Sequence, residues 1–207
     1  MLEYYGAMMD VGLRTARLLA EGIGCEPGFF EPFFTRSMSA LRLLRYAPEV
    51  SDASEGVFGC GAHTDYGLLT FLATDDVPGL QAGPVWLDGT WHDVPPKPGH
   101  FVVNLGDMLE RWCNDALKST RHRVVNREGR ERFSIPFFFE TNFDTVVEAL
   151  PPFVGPDNPP RYPPTTSGEH LLLQYAKTHA NFKLTEDGAG RHGAGGGRHG
   201  ADGSGSG

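Results

Sequence analysis

Val85-Trp86-Leu87-Asp88-Gly89-Thr90-Trp91-His92-Asp93-Val94 is the stretch that decides the fold class. Two runs rich in β-branched and aromatic residues flank Asp88-Gly89, a dipeptide that takes the positive φ angles of a tight hairpin turn with little strain. The spacing predicts an antiparallel hairpin. Just downstream, Pro98-Gly99 marks a second turn before the apolar run Phe101-Val102-Val103. Outward from there, residues 58–140 keep this texture of short β-rich runs broken by turn residues. Strands at such spacing predict a sandwich, barrel or jelly roll.

Helices flank this β region. From Glu3 to Glu21 the apolar residues Met8, Val11, Thr15, Leu18 and Leu19 fall at helical spacing, which predicts an amphipathic helix ending at Gly22 or Gly24. Leu41 to Tyr46 has β character and stops before Pro48. Met108 to Leu117 reads as a short helix or helical loop, and Arg121 to Asn126 and Arg132 to Glu140 as strands. Pro151 to Pro164 is proline-rich and predicts an extended surface segment. Gly168 to His179 predicts a closing helix with Leu171, Leu172 and Tyr175 on one face. After Leu184 the composition collapses to Gly, Arg, His, Ala and Ser, from which no core can be built. Residues 1–184 are therefore expected to form one domain, and 185–207 a disordered Gly/His-rich tail.

A chain of 207 residues suits one domain with a substantial core. The formal net charge of -8 supplies no basic field for a phosphate backbone, so nucleic acid is not an expected partner. Nor is a membrane: an acidic surface has little attraction for anionic lipid, and no apolar run approaches the ~20 residues of a spanning helix. The N-terminus lacks the basic start and apolar stretch of a signal peptide. Cys25, Cys60 and Cys113 are odd in number and offer no CxxC pair, which suits a reducing compartment. The expected location is the cytoplasm. Cys60 itself is expected to be a buried thiol.

His63-Thr64-Asp65 carries the first chemistry. Residues two apart on an extended segment project to the same side, so an imidazole and a carboxylate can meet there while Thr64 faces away. An isolated pair of this kind is weak evidence. His122, in Ser119-Thr120-Arg121-His122-Arg123-Val124-Val125, is the best third ligand. Taken alone it reads more readily as a hydrogen-bonded structural histidine. Two imidazoles and one carboxylate on one face of a metal leave other positions open, the arrangement that suits Fe(II) and O2. A thiolate-rich or three-histidine set would favour zinc or copper. Arg132-Phe133-Ser134 repeats the spacing of two, so a guanidinium and a hydroxyl can face one pocket and grip a carboxylate. The alternative for Arg132 is an exposed strand face.

Longer motifs decide between these readings. Gly61-Ala62-His63-Thr64-Asp65-Tyr66-Gly67-Leu68-Leu69-Thr70 resembles the isopenicillin N synthase-like branch of the 2-oxoglutarate/Fe(II)-dependent dioxygenases. So do Asp93-Val94-Pro95-Pro96, Val103-Asn104-Leu105-Gly106-Asp107-Met108-Leu109-Glu110-Arg111-Trp112, Ser119 through Asn126, and Arg132-Phe133-Ser134-Ile135-Pro136-Phe137-Phe138-Phe139-Glu140, in that order. The resemblance implies a mainly β protein with flanking helices, a double-stranded β-helix (jelly roll, cupin-like). It implies iron held by His63, Asp65 and His122, and 2-oxoglutarate held by Arg132 and Ser134. Leu41-Arg42-Leu43-Leu44-Arg45-Tyr46-Ala47-Pro48 resembles the strand whose tyrosine also touches the co-substrate, which makes Tyr46 a candidate. Many relatives carry asparagine two positions before that tyrosine, where this chain has Leu44. The implied reaction couples oxidative decarboxylation of 2-oxoglutarate by O2 to hydroxylation, desaturation or cyclisation of a small organic substrate, with ascorbate as reductant. Two alternatives stay open: an iron-dependent oxidase of the same fold that does not use 2-oxoglutarate, and a catalytically inactive jelly-roll binding fragment. Members of this branch usually carry a longer N-terminal region, so the chain is expected to lack most of one.

Overall fold

Met8, Gly12, Ala16 and Ala20, spaced four apart, form the buried stripe of the first helix, α1 (Leu2–Gly22). This is narrower and smaller than the stripe the apolar spacing predicts: Leu18 is 69% exposed. The cause is a close approach. A Cβ on Gly12 would stand 2.5 Å from the Phe139 ring, so only small residues fit the contact line. Bulkier Val11 and Leu19 pack at its sides. The helix stops where predicted: Gly24 takes φ +79°, and Cys25 and Gly24 donate to the carbonyls of Ala20 and Glu21. That is a Schellman cap, and it needs glycine at its left-handed position.

The computed structural model describes residues 1–83 and 90–178, with the backbone of 182–184 and 190–192. After α1 come β1 (Ala40–Leu41), β2 (Leu44–Tyr46), β3 (Cys60–His63), β4 (Leu69–Thr74), β5 (Leu80–Ala82), β6 (His92–Asp93) and β7 (Val102–Leu105). Helix α2 (Asp107–Trp112) precedes β8 (His122–Val124), β9 (Arg132–Phe139), β10 (Val146–Val147) and β11 (Thr165–Thr166). Helix α3 (Ser167–Thr178), β12 (Phe182–Leu184) and β13 (Gly190–His192) follow.

Two antiparallel sheets build the jelly roll. The larger runs β1-β9-β4-β7, with β2 also pairing with β9; the smaller runs β3-β8-β5-β6. Gln81 and Ala82 pair with Asp93 and His92, so the chain does turn back here. The Asp88-Gly89 turn itself lies outside the described residues. Within the stretch expected to be a tail, Gly190–His192 pairs with Phe182–Leu184. Backbone pairing needs no apolar side chain, which is why composition does not reveal it. Residues 185–189 and 193–207 lie outside the described residues.

Strand β9 organises both faces of the large sheet. Phe137 and Phe139 are wholly buried on the α1 side, where Tyr5 meets Phe137 edge-on at 5.4 Å and Phe34 stacks on Phe139 at 4.1 Å. Phe30 and Trp112 extend this core around α2. Each fully buried aromatic of this kind stabilises the fold by about 1.5–3 kcal/mol. By the two-residue period, Arg132, Ser134, Phe138 and Glu140 point the other way, into the roll. Helix α2 ends at Trp112 because Asn114 and Asp115 both adopt left-handed φ, 48° and 70°. Asn114 then ties the proline-rich segment down through Phe153, Pro159 and Arg161.

Candidate metal centre

Strands β3 and β8 are antiparallel partners, and His63 sits directly across from His122. The ladder shifts register between Cys60 and His63, an irregularity of the kind that re-aims side chains at strand ends. The two imidazole centroids are 4.3 Å apart. Asp65 follows two residues after His63, and its Oδ1 lies 3.7 Å from Nε2 of each histidine. One ligand atom from each of the three lies within 4.8 Å of the others. Bonds of about 2.0–2.2 Å to a shared cation bring such atoms to roughly 3 Å, a small contraction.

The surroundings prepare these atoms as ligands. His63 Nδ1 donates to the Gly61 carbonyl at 2.8 Å, and His122 Nδ1 to that of Thr120 at 3.1 Å. Each histidine thus spends Nδ1 on the carbonyl two residues back, which leaves Nε2, directed toward Asp65, as the atom a metal could take. Asp65 is 7% exposed, and its Oδ2 accepts from Asn104 Nδ2 at 2.7 Å, so Oδ1 is the one left over. Thr64 donates to Asp107 Oδ2 and also lines the cavity beside His63 and Asp65. Burial lowers His122 and favours its neutral, metal-binding form. Contact with the Cys60 thiol, the Gly61 carbonyl and the Asp65 charge together raise His63 to about 9 against burial. His63 and Asp65 open onto a cavity of about 440 Å³.

Arg132 and Ser134 are each 2% exposed inside the roll. Arg132 Nε donates to the Val77 carbonyl at 3.2 Å, and its Cζ lies 5.2 Å from the centroid of the Tyr46 ring. Register explains the company: Tyr46 pairs with Arg132 and Leu44 with Ser134 across β2 and β9. Arg132 Nη1 and Ser134 Oγ are buried without any hydrogen-bond partner. Among the described residues only Arg111 Nε shares that condition. Leaving such a group unsatisfied costs about 1–3 kcal/mol, more when it is charged. A carboxylate laid across the pair would satisfy both, so the residues fit a dicarboxylate co-substrate. Apolar Leu44 opposite Ser134 is part of why the hydroxyl lacks a protein partner.

Residues 38–141, which contain the triad together with Tyr46, Arg132 and Ser134, match the family described as the 2OG-Fe(II) oxygenase superfamily. The chain belongs to this superfamily. It is 43% identical over 182 residues to the 2-oxoglutarate-Fe(II) type oxidoreductase hxnY of Emericella nidulans, a match covering 86% of this chain and 51% of that protein. A 2-oxoglutarate-Fe(II) type oxidoreductase of Aspergillus fumigatus is 42% identical over 172 residues, 81% of this chain and 50% of that one. Among solved structures, a full-length Neurospora crassa protein in complex with alpha-KG and thymine superposes with a TM-score of 0.78 at 32% identity, covering 86% of this chain and 55% of that chain. This chain spans about half the length of the curated relatives it matches.

Within this 2OG-Fe(II) oxygenase, sequence reasoning misses two residues at the centre. Asn104 stands in the sequence only as part of a longer motif, and its grip on Asp65 depends on β4 and β7 pairing. Glu140 is 8% exposed and pushed up to about 8 by burial and by the charges of Asp65 and Asp107. Its carboxyl lies so close to Gly67 that any side chain there would overlap it. Cys60 is a correction: it is only partly buried, and its Sγ lies 3.7 Å from His63 Nδ1. Position 60 lines the cavity instead of the packed core.

Proposed function

We propose that this chain carries the catalytic domain of a non-haem Fe(II) dioxygenase of the isopenicillin N synthase-like branch, consuming 2-oxoglutarate and oxidising a small organic molecule. The observation that carries the reading is the orphaned pair Arg132 Nη1 and Ser134 Oγ, buried in the same roll as a His-Asp-His triad. When bound, Fe(II) with 2-oxoglutarate and O2 supplies the oxidative decarboxylation that drives hydroxylation, desaturation or ring closure.

The chain's own residues hold and orient. His63, Asp65 and His122 would present Nε2, Oδ1 and Nε2 to the metal, with Asn104 fixing the carboxylate. Arg132, locked by the Val77 carbonyl and faced by Tyr46, would receive the far carboxylate beside Ser134. The buried placement of that pair keeps water from competing for it. A reducing, cytoplasmic setting is supported by the free thiols of Cys25, Cys60 and Cys113.

The test is succinate release by the full chain supplied with Fe(II), ascorbate and 2-oxoglutarate, alongside a 2-oxoglutarate binding titration. Metal-dependent binding and turnover are expected. Iron binding with no affinity for 2-oxoglutarate would instead favour the same-fold oxidase, and a folded chain that binds neither overturns the reading.

A further inference from the structure

Beside the metal ligands, the cavity of about 440 Å³ is walled by β1, the end of β9 and α3. Two ionisable groups on its walls have no part in holding metal or co-substrate. Arg42, on the segment just after β1, makes no side-chain hydrogen bond or ion pair among the described residues. Glu140, just past β9, is buried to 8% exposure, and its carboxyl likewise makes no hydrogen bond among them. Arg42 is exposed at the cavity's edge and stays hydrated, whereas the buried Glu140 carboxyl is costly to leave without a hydrogen-bond partner.

Register places them at opposite ends of one wall. Arg42 donates its backbone N–H to the Pro136 carbonyl, whereas Met38 donates to Thr141, next to Glu140. Four residues of strand therefore separate the two levels, about 13 Å along the sheet. Between them lie Ala40 and Phe138, which are cross-strand partners, with Leu171 of α3 also lining the cavity. Glu140 marks the metal end, since the Asp65 charge acts on it. Arg42 lies at the other end, and Tyr175 of α3 is acted on by the charges of both Arg42 and Glu140. The wall thus runs from cation through apolar surface to buried acid.

Resting on the dioxygenase reading above, we infer that this cavity binds the primary substrate as an extended amino carboxylate. Its anionic end pairs with Arg42, its ammonium or N–H donor with Glu140 near the metal ligands, and its carbon chain lies on Ala40 and Phe138. Neither a plain carboxylate nor a plain amine satisfies both ends.

The experiment uses the full chain and three sets of probes: ω-amino carboxylates of graded length, the matching carboxylates, and the matching alkylamines. Binding is measured by calorimetry on the metal-free protein, and stimulation of 2-oxoglutarate decarboxylation on the iron-loaded protein. The amino carboxylates are expected to bind roughly tenfold or more tighter than either single-ended set, with an optimum chain length. Arg42→Met should abolish their advantage over alkylamines, and Arg42→Lys should restore part of it. Glu140→Gln should abolish their advantage over plain carboxylates. Equal affinity for all three sets, or an Arg42→Met variant that weakens every probe alike, overturns the inference. If Glu140→Gln does not fold, the two Arg42 variants decide alone. Loss of 2-oxoglutarate binding with probe selectivity intact would sink the dioxygenase reading and leave this one standing; the reverse pattern would sink this one only.

Discussion

The two faces of β9 bury different kinds of side chain. Toward α1, Phe137 and Phe139 are fully enclosed by aromatic rings and by the small residues of the helix. Toward the interior of the roll, Arg132, Ser134 and Glu140 are nearly as buried, and Arg132 and Ser134 leave polar atoms unmatched. One strand thus supplies packing on one side and unmet hydrogen-bonding capacity on the other. Stability is concentrated outside the roll and ligand chemistry inside it, where local rules are broken for a purpose.

Substitutions can break or sharpen that contrast. The largest effect is expected from Asp65→Ala, which should lower metal affinity by more than ~100-fold and remove turnover. Its melting temperature without metal should barely move; a large drop would mean that Asp65 also holds the fold. Phe139→Ala tests the opposite face. It should cost about 3–5 kcal/mol in urea denaturation while the folded fraction keeps its metal affinity. A loss of metal affinity without loss of stability would erase the distinction. Arg132→Met should weaken 2-oxoglutarate binding by roughly 10–100-fold, the worth of a charge-assisted hydrogen bond. Stability should hold or rise, because a buried cation with an unmet donor disappears; destabilisation on the scale of Phe139→Ala would show that Arg132 belongs to the core. Asn104→Ala is the mildest. It should reduce metal affinity about tenfold by freeing the Asp65 carboxylate to rotate, and unchanged affinity would make the contact incidental.

What is legible in the sequence is whatever repeats every two residues along a strand. His63 with Asp65, and Arg132 with Ser134, share faces because alternation is a local property of extended backbone. The flanking helix and its glycine stop are legible because the 3.6-residue period and the left-handed cap are local as well. Long-range register is not. That Tyr46 sits opposite Arg132, that Asn104 reaches Asp65 and that Glu140 reaches Gly67 depend on which strands meet and in what alignment. The stripe of α1 escapes such a reading because large apolar residues outweigh Gly12 and Ala16 in any periodicity, although close packing on Phe139 demands the small ones. Exposure of Cys60 follows from a cavity that no single segment encodes.

The facing of His63 and His122 across one ladder makes the cation a clasp as well as a reagent. A slip of one residue between those strands would turn one imidazole to the far side and abolish the grip. Any ion that binds only the aligned form must therefore raise the temperature at which the strands part, by mass action alone. A simple melting scan against added divalent metals would then read strand alignment directly, before any substrate is known.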